Sequence, residues 1–179
     1  MIATARPRIY LAGPDVFQLN AAEQMQSLVL ACEASGLEAL PPSDGTAPTL
    51  ALGNEARHIF DTNMARLRQA DGVIANLEPC RGTEPDSGTL FDVGAAVALG
   101  LPVVAYGVSN TYAARVKRLM KVVRSNGALQ DPRNYVVEEF DLPLNLMLAC
   151  SVRTENTAEE AVAALAALFA ELGPHQVIH

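Results

Sequence analysis

The chemistry this chain can do starts from two carboxylates, Asp86 and Asp92, in the segment Glu78 to Gly94, E-P-C-R-G-T-E-P-D-S-G-T-L-F-D-V-G. The segment is rich in polar and turn-forming residues throughout. Asp86 stands where a helix N-cap is expected, and capping alone explains it by propensity. Asp92 is harder to dismiss. It falls in the second turn of the predicted helix, among Leu90, Phe91, Val93, Ala95, Ala96 and Val97. Asp is a poor helix former there and is costly to bury unpaired. The plain alternative is a surface position on a thin polar edge, since Asp is mostly exposed.

Other residues raise the same question less sharply. Asn63 shares a helical stripe with Ala56, Phe60 and Leu67, so an amide stands where periodicity asks for an apolar side chain. A buried Asn needs partners; the edge of a ligand base is one, a helix–loop bond the other. Tyr10 lies in an apolar run with a hydroxyl to satisfy, more often a core role than a catalytic one. Arg115, Lys117, Arg118, Lys121 and Arg124 gather positive charge, by default a solvated face, otherwise a phosphate contact. His58, His175 and His179 are dispersed without zinc-ligand spacing. Ser87 lies in no G-x-S-x-G elbow, and Gly-rich phosphate loops are absent. We therefore expect no metal and no organic cofactor.

The elements that must position these residues alternate in type. Arg8 to Ala12 reads as a buried strand ended by Gly13-Pro14. A helix carrying Met25, Leu28, Val29 and Cys32 follows and stops at Gly36. Leu37 to Leu40 is a brief strand and Pro41 to Pro48 a loop. A helix is expected from about Asn54 to Gln69, a strand over Gly72 to Leu77, a helix from Asp86 or Ser87 to Gly100, and a strand over Pro102 to Tyr106. Beyond these come a basic helix over Thr111 to Arg124, a short extended piece at Asn134 to Glu138 and a short helix at Leu144 to Cys150. Thr157 and Glu160 form a capping box for a last helix, whose stripe is Ala161, Val162, Leu165, Leu168, Phe169 and Leu172, closed by Gly173-Pro174. Strands alternating with helices imply a parallel sheet covered on both faces, with ligands beyond the carboxyl ends of its strands. No repeat or linker divides the chain, so residues 1–179 read as one doubly wound α/β domain.

Composition narrows the partners. Half of the residues are hydrophobic and 18% charged, as in a packed globular protein. The net charge of −7, from 13 basic and 20 acidic residues, argues against a polymeric nucleic acid, whose phosphates call for the opposite sign. Cys32, Cys80 and Cys150 are far apart and odd in number, so they read as reduced thiols, with Cys32 and Cys150 as core fillers. Without a secretory signal or an apolar span, a cytoplasmic protein that does not enter membranes is expected.

Four segments carry a likeness to a known family. They are Ile9 to Phe17 (I-Y-L-A-G-P-D-V-F), Ala70 to Leu77 (A-D-G-V-I-A-N-L), Arg81 to Ala96 (R-G-T-E-P-D-S-G-T-L-F-D-V-G-A-A) and Asp141 to Leu148 (D-L-P-L-N-L-M-L). In order and spacing they resemble the nucleoside 2-deoxyribosyltransferase family. The resemblance implies a flavodoxin-like fold with a five-stranded parallel sheet, assembled as a homodimer or larger homo-oligomer. It implies that Asp92 is the nucleophile, that Tyr10 orients it, and that Asp86 contacts the base and shuttles its proton. Asn63 matches a base-contacting position. Gly13 and Gly88 fall with the substrate-binding residues, and Asn145 and Met147 match a segment that a neighbouring subunit inserts to bind the sugar hydroxyls. Deoxyribonucleosides and free nucleobases are the implied partners.

The family's nucleophile is usually Glu. Asp at this place is shorter by one carbon–carbon bond, about 1.5 Å. Such a shift can cost on the order of 100-fold in attack unless backbone or substrate pose compensates. Transfer of 2-deoxyribose between bases by double displacement is the expected activity. Two others stay open: hydrolysis of a 2′-deoxynucleoside 5′-monophosphate, with Ser109 or the basic helix on the phosphate, and nucleoside binding without catalysis.

Overall fold

Strand residues here are apolar on both sides because both faces of the sheet are covered. In the computed structural model, which describes residues 5–42 and 54–172, every residue of β3 (Gly72–Asn76) is buried. It lies between β1 (Arg8–Ala12) and β4 (Val103–Tyr106). β2 (Glu38–Leu40) flanks β1, and a two-residue strand, Arg153–Thr154, flanks β4. All four pairings of this five-stranded sheet are parallel. The chain steps outward in opposite directions from β1 and β3, the flavodoxin-like, doubly wound pattern.

Alternation along each strand sorts the core into two layers. Ile9, Leu11, Ile74 and Val104 pack under α1 (Ala21–Ala34) and a C-terminal helix, Ala158–Leu172, through Cys32, Val162 and Leu165. Tyr10, Ala12, Val73, Ala75 and Ala105 face the other way, toward Leu67 of α2 (Glu55–Gln69) and Val93 and Ala96 of α3 (Ser87–Ala98). Tyr10 is thereby committed to the α2–α3 side. The Thr157–Glu160 capping box forms as its spacing predicts: Glu160 N–H donates to Thr157 Oγ1 at 3.2 Å and Thr157 N–H to Glu160 Oε2 at 3.3 Å.

Several expectations need correction. The basic helix, α4 (Tyr112–Leu119), ends five residues before Arg124. Arg124 instead lies in β5 (Val123–Ser125), which pairs antiparallel with β6 (Ala128–Gln130). The turn between them is Asn126-Gly127, both at positive φ (49° and 81°), the residue pair that a tight two-residue hairpin favours. Numbered in order, Arg153–Thr154 is then β7 and the last helix α6, with α5 (Leu146–Ala149) before them. The extended piece near Asn134 to Glu138 contributes a single bridge, Val136 to Gln130. Cys32 is buried as a core filler, but Cys150 is exposed just after α5. Residues 43–48 of the Pro41–Pro48 loop, and the Gly173-Pro174 stop, lie outside the described residues. Among those described, no helix is long and apolar enough to cross a membrane.

Candidate active site

The periodicity of α3 explains how a carboxylate reaches Tyr10. Thr89, Val93 and Ala96 are the buried stripe, and Asp92 sits beside it, half-buried at the edge of the core. The wholly buried Tyr10 donates its hydroxyl proton to Asp92 Oδ2 at 3.2 Å. Burial pushes the Asp92 carboxyl up to about 6, the Tyr10 hydrogen bond pulls it back, and the charge of Asp86 raises it further. The Tyr10 hydroxyl is also held above its ordinary value, by burial first and then by the Asp92 charge, so it stays a donor.

Asp86 caps α3. Its Oδ2 accepts from Thr89 N–H at 3.0 Å and from Thr89 Oγ1 at 3.3 Å, while Oδ1 lies 3.9 Å from Arg81 Nη1. The side chain is only 12% exposed. The capping role foreseen by propensity is therefore present, and one carboxylate oxygen remains turned toward Arg81.

Asp92 opens onto a cavity of about 310 Å³ lined by Phe60, Asn63, Met64, Gly88 and Phe91. That volume falls at the small end of ordinary ligand pockets. Its walls are largely apolar, with the Phe60 and Phe91 rings 6.0 Å apart between centroids and tilted by 54°. The helical stripe that carries Asn63 thus runs out of the core at Leu67 and into the cavity at Phe60. Gly88 leaves room at the mouth; a Cβ there would stand 3.0 Å from Asp86 Oδ2.

The structure brings Asn63, Gly88 and Asp92 together around one cavity, with Tyr10 buried behind Asp92 and Asp86 at the start of the same helix. Gly13, Asn145 and Met147 do not line it. Gly13 follows β1, where a Cβ would overlap the Asp15 carboxylate and come within 2.9 Å of Asn76 Cβ. It serves a polar cluster that composition did not reveal: buried Asn76 donates to both Asp15 carboxylate oxygens, at 3.0 and 3.1 Å, and accepts from Glu78 N–H at 3.0 Å. Asn145 caps α5, its Oδ1 accepting from Leu148 N–H at 3.2 Å, and Met147 is 73% exposed. Phe60, Met64 and Phe91 complete the walls, and no sequence signal marks Met64 or Phe91 for that place. Phe60 was discoverable, since it lies one turn before Asn63 on the same stripe.

A larger cavity, about 430 Å³, opens on the opposite side of the sheet between α1 and α6. Asp15, Glu23, Glu78 and Glu159 make its rim acidic, and it shares no residue with the first. Of the two, only the smaller is lined by Asp92, the carboxylate that Tyr10 holds. The basic face is solvated as expected at Lys117, Arg118, Lys121 and Arg124, all exposed, with Lys117 and Arg124 paired to Glu139 at 3.3 and 2.7 Å; Arg115 alone departs from the expectation and is buried.

The raised Asp92 pKa has a measurable sign. The folded chain keeps this proton to about pH 6, whereas the unfolded chain releases it near pH 4. Between those values the folded state binds more protons, so Asp92 lowers stability as the pH rises through this window, and the deficit persists above it. Asp92→Asn keeps an acceptor for Tyr10 and loses the charge. It should be more stable than wild type at pH 8 by about 1–3 kcal/mol and nearly equal at pH 4. Urea midpoints at the two pH values check this; a difference that does not depend on pH contradicts it.

Fold and site together define a class: a flavodoxin-like α/β protein that holds a desolvated carboxylate, supported by a buried tyrosine, at the edge of an apolar cavity. Comparison with known proteins narrows it. The family model for nucleoside 2-deoxyribosyltransferases matches residues 9–147. A solved 2-deoxyribosyltransferase from Leishmania mexicana superposes with a TM-score of 0.72 at 28% identity, covering 90% of this chain and 97% of that one. A conserved protein from Enterococcus faecalis shares the fold, with a TM-score of 0.59 at 18% identity over 92% of this chain and 100% of its own. An uncharacterized protein of Schizosaccharomyces pombe is 32% identical over 104 residues, 56% of this chain and 49% of the relative, so the match spans about half the length of that curated protein. The chain belongs to the nucleoside 2-deoxyribosyltransferase family.

Proposed function

We propose that this chain transfers 2-deoxyribose between nucleobases by double displacement at Asp92. The observation that carries the reading is the half-buried Asp92 carboxylate, hydrogen-bonded by Tyr10 and facing a cavity large enough for part of a nucleoside. Asp92 attacks C1′ as the N-glycosidic bond breaks, through an oxocarbenium-like transition state. The base leaves with a proton, and a deoxyribosyl ester of Asp92 remains. A second base attacks C1′ of that ester, gives up a proton, and frees the carboxylate. Partial desolvation keeps Asp92 weakly hydrated and so ready to attack, and the Tyr10 bond fixes which oxygen faces the sugar.

Asp86 is the proton relay in this reading, close enough to Asp92 for its charge to be felt there. Asn63 contacts the base edge, while Phe60 and Phe91 supply the apolar wall beside it. Asn145 and Met147, outside their own chain's cavity, complete the site of a second copy. The Leishmania mexicana enzyme, similar along nearly its whole length, supports transfer over simple binding.

The assay is incubation with deoxyinosine, with and without free adenine. Deoxyadenosine formed only with adenine supports transfer. Release of free base at the same rate without acceptor makes the protein a hydrolase, and no conversion at all makes it a binding protein.

Asp92→Glu tests whether the site has adapted to the shorter residue. Asp92 already meets Tyr10 at hydrogen-bond distance, so a carboxylate about 1.5 Å longer should pass that partner and crowd the sugar. Turnover is expected to fall about 10-fold or more. A many-fold rise in kcat would show an unadapted site.

A further inference from the structure

Arg115 is the most heavily buried cation described, 2% exposed, yet no carboxylate among the described residues lies within ion-pair distance of it. Its charge is met by backbone. Nε donates to the Thr83 carbonyl at 2.8 Å and Nη1 to the Pro143 carbonyl at 3.0 Å. The guanidinium carbon lies 5.6 Å from the centre of the Tyr112 ring, and Nη2 has no hydrogen-bond partner among the described residues. Burial lowers its pKa, with the nearby Glu84 opposing. Burying an incompletely bonded cation is costly, and an apolar side chain would fill this space more cheaply. What an apolar residue cannot do is hold two carbonyls from different segments in one rigid plane.

Those carbonyls belong to the two segments that matter. Thr83 is buried, three residues before Asp86, in a loop closed by the Pro79–Pro85 bridge and by Cys80 N–H donating to the Glu84 carbonyl at 2.9 Å. Pro143 lies two residues before Asn145, and Tyr112 N–H ties the adjacent Leu142 carbonyl at 2.8 Å. We propose that Arg115 is a positioning residue, whose single guanidinium fixes the loop that sets Asp86 relative to the segment that presents Asn145. Its catalytic importance rests on the roles assigned above to those two residues; its clamping of both segments does not. Because Asn145 serves a neighbouring site in that reading, one clamp holds the base side of its own site and the sugar side of the next.

The test uses Arg115→Lys, which keeps the charge but replaces two in-plane donors by one point donor, and Arg115→Met, which keeps bulk alone. Hydrogen exchange on the unliganded protein needs no activity. In both variants, peptides covering residues 80–90 and 141–150 should exchange faster together, while β1 and β3 stay protected. Loosening of only one segment, or of neither, overturns the clamp. Steady-state transfer, measured well below the melting temperature, should show kcat lowered about 10-fold or more in Arg115→Met with KM for the acceptor base raised, and Arg115→Lys in between. A merely structural arginine would reduce the active fraction and leave KM unchanged, and that result would remove the positioning role. Should Arg115→Met fail to fold, Arg115→Lys carries both readouts. Wild type without transfer activity would sink the functional reading, and the exchange data would still decide the clamp.

Discussion

Asp92→Ala is expected to abolish deoxyribosyl transfer, by at least about 10³-fold, in a protein that remains folded. The size follows from the mechanism: without the carboxylate no ester forms, and only binding and the remaining polar groups assist any direct displacement. The fold should survive because Asp92 lies at the edge of the core beside the cavity, and the packing beneath it is made by Val93 and Ala96. Removing a desolvated charge offsets the hydrogen bond lost to Tyr10, so the net change in stability should be within about 1 kcal/mol. Thermal melts and initial rates with deoxyinosine and adenine decide the matter together. Substantial transfer by a folded Asp92→Ala protein would mean that another group attacks C1′.

The second large effect is recovery of activity by mixing. Asn145 caps its own short helix through Oδ1, so Asn145→Ala would disturb α5 as well as remove the amide. Asn145→Asp is the cleaner variant, since Asp caps about as well as Asn but lacks the NH₂ donor. Each of Asp92→Ala and Asn145→Asp should be inactive or nearly so. If Asn145 serves a neighbour, a mixed assembly contains a site with Asp92 from one chain and Asn145 from the other. For random pairing of equal amounts into dimers, half of the dimers are mixed and one of their two sites is whole, so about a quarter of wild-type activity should return. No recovery despite demonstrated subunit exchange would place Asn145 in its own chain's site, or in none.

What the sequence made legible depends on how local the signal is. Asp86 as N-cap, the Thr157–Glu160 box and the stop at Gly36 are short-range signals, and each has its counterpart in the structure. Asp92 and Asn63 stood out because polar side chains interrupt apolar stripes, and both line the same cavity. Their convergence with Tyr10 was not legible from periodicity, which assigns a residue to a face without saying which helix covers that face. β7 could not be read at all: two residues, Arg153 and Thr154, carry no pattern and are strand only because β4 offers them an edge. α4 stops at Leu119, short of Arg124, because Val123–Ser125 pairs with Ala128–Gln130 across the Asn126-Gly127 turn, a hairpin that the run of basic residues does not reveal. Arg115 looked solvated by composition, and only the carbonyls of Thr83 and Pro143, distant in sequence, explain its burial.

The central claim, covalent catalysis at Asp92, is tested most directly by mass. Wild-type protein is incubated with deoxyinosine and no acceptor base, quenched in acid, and analysed intact and after proteolysis. The account predicts that the protein gains the mass of one 2-deoxyribosyl group, that the peptide carrying Asp92 bears it, and that adenine removes it as deoxyadenosine. Transfer activity without any adduct on rapid quenching, or an adduct on a different residue, would contradict it.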